Sequence, residues 1–549
     1  MIEFYDFSNG HFYIALAIAI VNAFVLCFEG YKFLQVIQLS GYHSRGYFDW
    51  LKNSGGAYVG RLALVAVLSS ACLIVSNVIF DGYNDYLSYL GLIFYLLFSY
   101  IYIINVYTAP KKTPLKMTNR MNRAVILLFV FSAIISFGLI VLSSMFLSIF
   151  RFGAVALSPL ILPILVPFVH WLMKPIENSI NKNYIKKSNK KLAQFPNLIR
   201  IGITGSFGKT STKNFLATIL SEKYSVCATP FNFNTPMGIT KTVLQELSMG
   251  HQVLIAEMGA RQQGDIKELC EMVQPNYGIV TSIGAQHIAT FKSLENVKKT
   301  KAELPEYLGE RGFCVFNIDS EPVKEIALVS KCKKSFVSID DEKIKSGKAN
   351  IYATNIITNA SGTSFTLHLG DEKIECSTKL LGLHNISNLL LCVAMAHELN
   401  LSLEQIKSGI AKVMPVEHRL QLINAENDVV ILDDTYNASI EGSQRALEVL
   451  SMFTDRRKIV ITPGLVELGT MERLENYNFG VRISKVADIV IIVNKTHYLS
   501  IRQGLLDNGF DETKIYEAET MLATQNIMKD ILMPKDVILW ENDLPDNYI

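Results

Sequence analysis

Lys209 and Thr210 lie within the run "GITGSFGKTST" at residues 202–212, and the order Gly205-Ser206-Phe207-Gly208-Lys209-Thr210-Ser211 is that of a phosphate cradle. Glycines let backbone approach an anion, and the free N–H groups at a helix start bind it. A lysine at this place reaches β- and γ-phosphates, and the next hydroxyl suits Mg²⁺. The ordinary spacing would put Gly at 203, where Ile203 stands, so the cradle is a shorter form.

That chemistry needs a strand before the loop and a helix after it. "LIRIGIT" (198–204) has strand character and "STKNFLATIL" reads as a helix. Two further apolar strands end in polar groups: "QVLIAEMGA" carries Glu257, and "YGIVTSIGAQH" carries His287 just beyond its end. Ligands of open parallel sheets bind outside the carboxyl ends of strands. A carboxylate and an imidazole there suit the divalent metal that phosphates require. Singly, Glu257 could be an ion-pair partner and His287 a helix cap; three strand ends together favour a site.

The chain of 549 residues is long enough for more than one domain, and half of it is hydrophobic. The long apolar runs concentrate in the first 175 residues. A net charge of +2 leaves no nucleic-acid footprint. The eight cysteines show neither CxxC nor metal spacing and read as reduced thiols. Residues 1–11 lack a basic leader, so the first apolar run reads as a retained span.

Five stretches, near 12–28, 57–80, 86–108, 124–149 and 152–173, are long enough to cross a bilayer. Lys32, Arg45 and Lys52 lie in the first connection, Asp81 and Asp85 in the second, and Lys111, Lys112, Lys116, Arg120 and Arg123 in the third. The fourth is a short turn around Arg151, and "KNYIKKSNKK" follows the fifth span. Basic loops lie inside, which sets the N-terminus out and the C-terminus in. The expected location is the cell membrane, multi-pass, with the catalytic part in the cytoplasm where ATP is. Few charges fall inside the spans, and no intramembrane carboxylate chain suggests an ion path.

The soluble part resembles the Mur ligase family, most closely its MurF-like branch. The resemblance rests on "GITGSFGKTSTK", "EMGARQQGDI", "GIVTSIGAQHIATFKSLENVKKTKAEL", "FNIDS", "GLHNISNLLLCVAMAHEL", "EHRLQLI", "ILDDTYNAS" and "PGLVELG", in one order from about 198 to the end. It implies that Gly205 to Ser211 hold the triphosphate, with Lys209 and Thr210 central, and that Thr210, Glu257 and His287 serve two Mg²⁺ sites. Lys301, fourteen residues after His287, matches the family's carbamylated lysine, although residue pattern alone makes it one of several lysines on a solvated helix. Asn317 and Asn388 match adenine contacts, Arg419 the γ-phosphate arginine, and Asp434 the ribose carboxylate, with Asp433 one register away. Lys209, His287, Lys301 and Arg419 are the implied catalytic set. The implied reaction activates a carboxylate as an acyl phosphate, which an amine then attacks.

The fold expected is an α-helical membrane domain (1–175), a basic linker (176–194), a central ATP-binding α/β domain of P-loop type (195–414) and a C-terminal Rossmann-like domain (415–549), hinged at Pro415. The usual UDP-sugar-binding domain has no counterpart; the apolar spans stand in its place. "FNFNTPMG", "YNASI" and "ILWENDLPDNY" also depart from the family pattern, the last standing where a Lys-Gly-Ser loop is usual. The implied partners are a nucleotide- or lipid-linked cell-wall precursor, an amino acid or D-Ala-D-Ala, and the bilayer. Other readings are a polyglutamate-type synthetase and an ATP-driven transporter.

Overall fold

The computed structural model describes residues 11–80, 90–109, 113–146, 153–284, 291–359, 361–436, 439–466, 468, 471–493 and 495–542. His287, Asp81, Asp85, Lys111, Lys112 and Arg151 lie outside these residues. The described residues divide into two compact units, one up to Asn181 and the other from Lys182 onward.

Among the described residues of the whole chain, five helical segments are apolar and long enough to cross a membrane: Phe12–Glu29, Gly56–Ser76, Gly91–Thr108, Asn119–Ser143 and Ala154–Leu192. Two short helices, Tyr31–Leu39 and Ser44–Asn53, occupy the first basic connection, which hydropathy alone presented as a loop. Gln35 and Gln38 donate from the first of them to the carbonyls of Thr113 and Lys116. Glu29 closes the first helix and is fully buried, so a carboxylate does lie among the spans.

The segment expected to be a basic linker is helical. One helix runs Leu162–Leu192 through Pro167 and Pro175. Beyond Pro175 it meets no Gly or Pro until Leu192, and Ile185 and Leu192 pack into apolar core, so nothing breaks it.

The first sheet of the larger unit has nine strands in the order β2-β3-β1-β4-β5-β6-β7-β8-β9. They are β1 (Ile199–Thr204), β2 (Val226–Ala228), β3 (Val253–Glu257), β4 (Tyr277–Val280), β5 (Phe313–Asn317), β6 (Lys333–Ser338), β7 (Ile351–Asn359), β8 (Gly362–Leu369) and β9 (Glu372–Thr378). β2 to β7 are mutually parallel, and β8 reverses direction to pair with β7 and β9. Alternate residues feed two cores. Ile201, Ile203 and Ile255 face helices Lys209–Leu220 and Leu383–Glu398; Leu254, Ala256 and Val280 face helices Asp265–Val273 and Leu294–Leu308. Strands buried on both faces read as continuous apolar runs, which is why they were visible in sequence.

The second sheet has the order β10-β11-β15-β12-β13-β14. It comprises β10 (Gln421–Asn424), β11 (Val430–Asp434), β12 (Lys458–Thr462), β13 (Ile489–Val493), β14 (Ile515–Ala518) and β15 (Val537–Glu541). Only the β10–β11 pair is antiparallel. Helices alternate with its strands, a Rossmann-like arrangement.

Candidate active site

β1 sits between β3 and β4, where the chain order reverses, and the carboxyl end of β1 runs into the phosphate loop. Such switch points open a crevice for ligands. Gly205 has φ 150°, and a Cβ there would lie 2.0 Å from Thr281 Oγ1. Gly208 has φ 81°, and its Cβ would lie 2.5 Å from Asn388 Oδ1. Both positions need glycine for conformation and for room. The loop is strapped to the end of β4: Ser206 N donates to Ser282 O at 2.6 Å, and Thr281 Oγ1 donates to Phe207 O at 2.5 Å.

Lys209 folds back on the loop, donating from Nζ to Gly205 O at 2.6 Å and Ser206 O at 2.7 Å. Burial, reinforced by the Arg419 charge, pushes its ammonium down to about 8, against the pull of Glu257. Thr210 and Ser211 are buried in the first helical turn.

Glu257 ends β3 and is buried. Asn234 Nδ2 donates to its Oε1 at 3.0 Å, and Lys213 Nζ lies 3.4 Å from Oε2. Lys213 also donates to Phe231 O. Oε2 accepts no hydrogen bond among the described residues. A buried carboxylate oxygen held only by the longer Lys213 ion pair, near the Thr210 hydroxyl's helix, is a hard-oxygen group that fits Mg²⁺.

Lys301 is buried, at 3 % exposure, on the helix whose Lys298 and Lys299 remain at the surface. Burial first, then the Lys209 charge, hold its amine well below the usual range, with Asp265 and Glu303 opposing. The expectation of a solvated helix lysine is therefore replaced by that of an amine poised to be neutral.

Asn317 ends β5 and donates to Ser387 Oγ at 3.0 Å; Asn388 follows on the same helix and lies against Gly208. Arg419 reaches from the interdomain segment to Thr210 Oγ1, its Nη2 at 3.3 Å, and covers the Tyr436 ring at 4.4 Å. His418 and Leu420 flank it with φ of 60° and 48°. Asp433 Oδ2 pairs with His418 Nδ1 at 2.8 Å, whereas Asp434 Oδ1 accepts from Leu420 N at 3.0 Å. Asp434 is register partner to Glu541 on β15, whose carboxyl faces it. Burial raises Asp434 to about 6 and Glu541 well above the carboxylate range.

Lys209, Thr210, Glu257 and Arg419 thus gather around the carboxyl ends of β1 and β3, Lys301 interacts with Lys209, and Asn317 and Asn388 flank the loop. Reasoning from residues alone passed over Lys213, Asn234 and Glu541. A lysine one turn beyond Thr210, on a helix face otherwise committed to core, was the available signal for the first.

The profile of the Mur ligase middle domain matches residues 203–396. UDP-N-acetylmuramoyl-tripeptide–D-alanyl-D-alanine ligase of Mycobacterium tuberculosis (strain H37Rv) is 30% identical over 361 residues, covering 62% of this chain and 69% of that protein. The protein of that name from Escherichia coli K12 is 30% identical over 332 residues, 60% of this chain and 72% of its own length. MurF of Acinetobacter baumannii shares the fold at TM-score 0.59 and 24% identity, over 67% of this chain and 78% of its own. MurF ligase of Thermotoga maritima, solved with ADP, does so at TM-score 0.59 and 23% identity, over 66% and 80%.

Proposed function

Because this chain belongs to the Mur ligase family, we propose that it is a membrane-anchored, ATP-dependent carboxylate–amine ligase of the MurF type. It adds D-Ala-D-Ala to a peptidoglycan precursor presented at the cytoplasmic membrane surface. The substrate pair comes from the names of the relatives. The apolar helices, standing where family members carry a nucleotide-sugar domain, support presentation at the membrane.

One observation carries the reading: Arg419, from the segment joining the two sheets, reaches the Thr210 hydroxyl of the phosphate loop at 3.3 Å. The second domain thereby adds a fixed cation to a phosphate site built by the first. Bound Mg·ATP supplies the phosphoryl group that turns a carboxylate into an acyl phosphate. Lys209 and Arg419 neutralise charge on the phosphoryl oxygens. Thr210 and Glu257 would hold Mg²⁺, a role the family resemblance also gives to His287, which lies outside the described residues. Lys301, as a neutral amine, would add CO₂ with loss of a proton, and the resulting carbamate would supply an anion for a second Mg²⁺. Asn317 and Asn388 hold the adenine, and Asp434 the ribose.

The test uses the full chain in vesicles with Mg·ATP, D-Ala-D-Ala and either UDP-N-acetylmuramoyl-tripeptide or its lipid-linked counterpart. Stoichiometric ADP and pentapeptide are expected, and Lys209→Ala abolishes both. ATP turnover without peptide product refutes the ligase reading. Preference for the soluble nucleotide refutes membrane presentation alone.

A further inference from the structure

Among its apolar core residues, the helical unit buries several polar side chains. Asn22, at 2 % exposure, donates to Ser136 Oγ at 2.8 Å and to Ser158 Oγ at 2.9 Å, and accepts from Tyr95 OH at 2.5 Å. All of its hydrogen-bonding directions but one are filled. Glu29 lies on the same helix, about 10 Å further along at 1.5 Å per residue.

Glu29 differs from Asn22 in every respect that matters. It is 0 % exposed, and neither carboxylate oxygen has a hydrogen bond among the described residues. The Ser99 hydroxyl lies beside the carboxyl, but no bond of ordinary geometry joins them. Tyr102 OH is likewise buried without a partner, within interaction range of Glu29. Tyr95 is a further titratable group that interacts with Glu29, and Lys32 stands over the nearby Tyr58 ring at 5.3 Å. Among the described residues no Lys or Arg forms an ion pair with it. Arg61 acts on Tyr102 and stands over the Tyr58 ring at 5.8 Å.

An ionised carboxylate in such surroundings costs several kcal/mol unless a cation neutralises it. An ionisable side chain among membrane spans is a candidate functional site by default. Four hard oxygens without partners, two on Glu29 and one each on Ser99 and Tyr102, suit a small hard cation. We propose that Glu29, with Ser99 and Tyr102, forms a site for a small monovalent cation inside the helical unit, taking a proton or a sodium ion. The proposal rests on the membrane-spanning reading of these helices and does not depend on the ligase substrate.

The experiment treats the full-length protein in phosphatidylcholine vesicles with dicyclohexylcarbodiimide. A protonated carboxyl adds across one C=N bond, its proton passes to nitrogen, and the adduct rearranges to a stable N-acylurea. Peptide mass spectrometry is expected to find this adduct on Glu29 and to lose it in Glu29→Gln. Labelling that sodium chloride suppresses relative to choline chloride at constant pH identifies sodium. Labelling that ignores sodium but falls about tenfold per pH unit above its midpoint identifies a proton. Ser99→Ala is expected to weaken the sodium protection or move the midpoint. An alkaline carbonate wash and an ATP-dependent ligation assay accompany each sample. A chain that stays in the vesicles and ligates, yet is unlabelled at Glu29 at both pH 6 and pH 8 with either salt, overturns the site. A chain released by the wash refutes the membrane reading and the site with it.

Discussion

The ammonium of Lys213 lies 3.4 Å from Glu257 Oε2 and bonds the carbonyl of Phe231, so one buried cation ties the candidate metal carboxylate to the "FNFN" segment. Asn234 in that segment grips the other carboxylate oxygen, and Asn232 reaches Tyr436 beneath Arg419. The candidate metal ligand, the segment and the second domain are joined through side chains.

Lys213→Met should destabilise the protein by about 3–5 kcal/mol, because it strands a buried carboxylate. Mg²⁺ should then raise the melting temperature of the variant more than that of the wild type, being the remaining cation for Glu257. Thermal melts with and without Mg²⁺ measure this. Equal Mg²⁺ effects in both proteins would show that Glu257 does not meet the metal.

Nucleotide binding should take up a proton near pH 8. The free Lys209 ammonium titrates at about 8, and a triphosphate beside it raises that value. Below pH 8 the lysine is already charged and affinity is flat. Above it, affinity falls by up to about tenfold per pH unit. Calorimetry in buffers of different ionisation enthalpy counts the proton, which Lys209→Ala should eliminate.

Lys301 should carry CO₂. Burial lowers its basicity and so favours the neutral amine that CO₂ requires, where a solvated lysine stays protonated. Carbon-13 bicarbonate should give a carbamate resonance that Lys301→Ala lacks, and short carboxylic acids should restore part of the variant's activity. Activity of Lys301→Ala at the wild-type level would end the assignment.

Stability should fall as pH rises through the range set by Asp434 and Glu541. Both hold protons in the folded state to higher pH than in the unfolded chain, Asp434 to about 6 against 3.8. Folding therefore binds protons as pH rises from about 4, so the stabilisation present at low pH is lost by about pH 6 for Asp434 and at higher pH for Glu541. Glu541→Gln should flatten this slope and raise stability at pH 8 relative to the parent. Urea denaturation at pH 5 and pH 8 compares the two proteins.

What was legible in the sequence was what chemistry confines to one stretch of chain. The apolar spans needed only length and composition, and the phosphate loop only contiguous residues. β1, β3, β4, β11, β12, β13 and β15 were visible as buried apolar runs. The β7–β9 extension was not, because its alternating pattern is interrupted where the β7–β8 register shifts between Thr354 and Ile357. The helix to Leu192 was obscured by its lysines, which solvate one face while Ile185 and Leu192 bury another. Lys213 and Glu541 were missed for a deeper reason. Their surroundings are assembled from residues as far apart as Phe231 and Glu257, or Leu420 and Asp434, and no local pattern encodes such a meeting.

The contact of Asn388 with Gly208 bears on how the enzyme chooses its nucleotide. Asn388 packs against the phosphate loop, and its neighbour Ser387 holds Asn317, so the residues proposed to sense the base also form one wall of the loop. On that proposal, a wrong base that shifts Asn388 would leave the γ-phosphate misaligned even with the nucleotide bound. Discrimination between ATP and GTP would then fall on kcat rather than on KM, which steady-state kinetics with the two nucleotides checks.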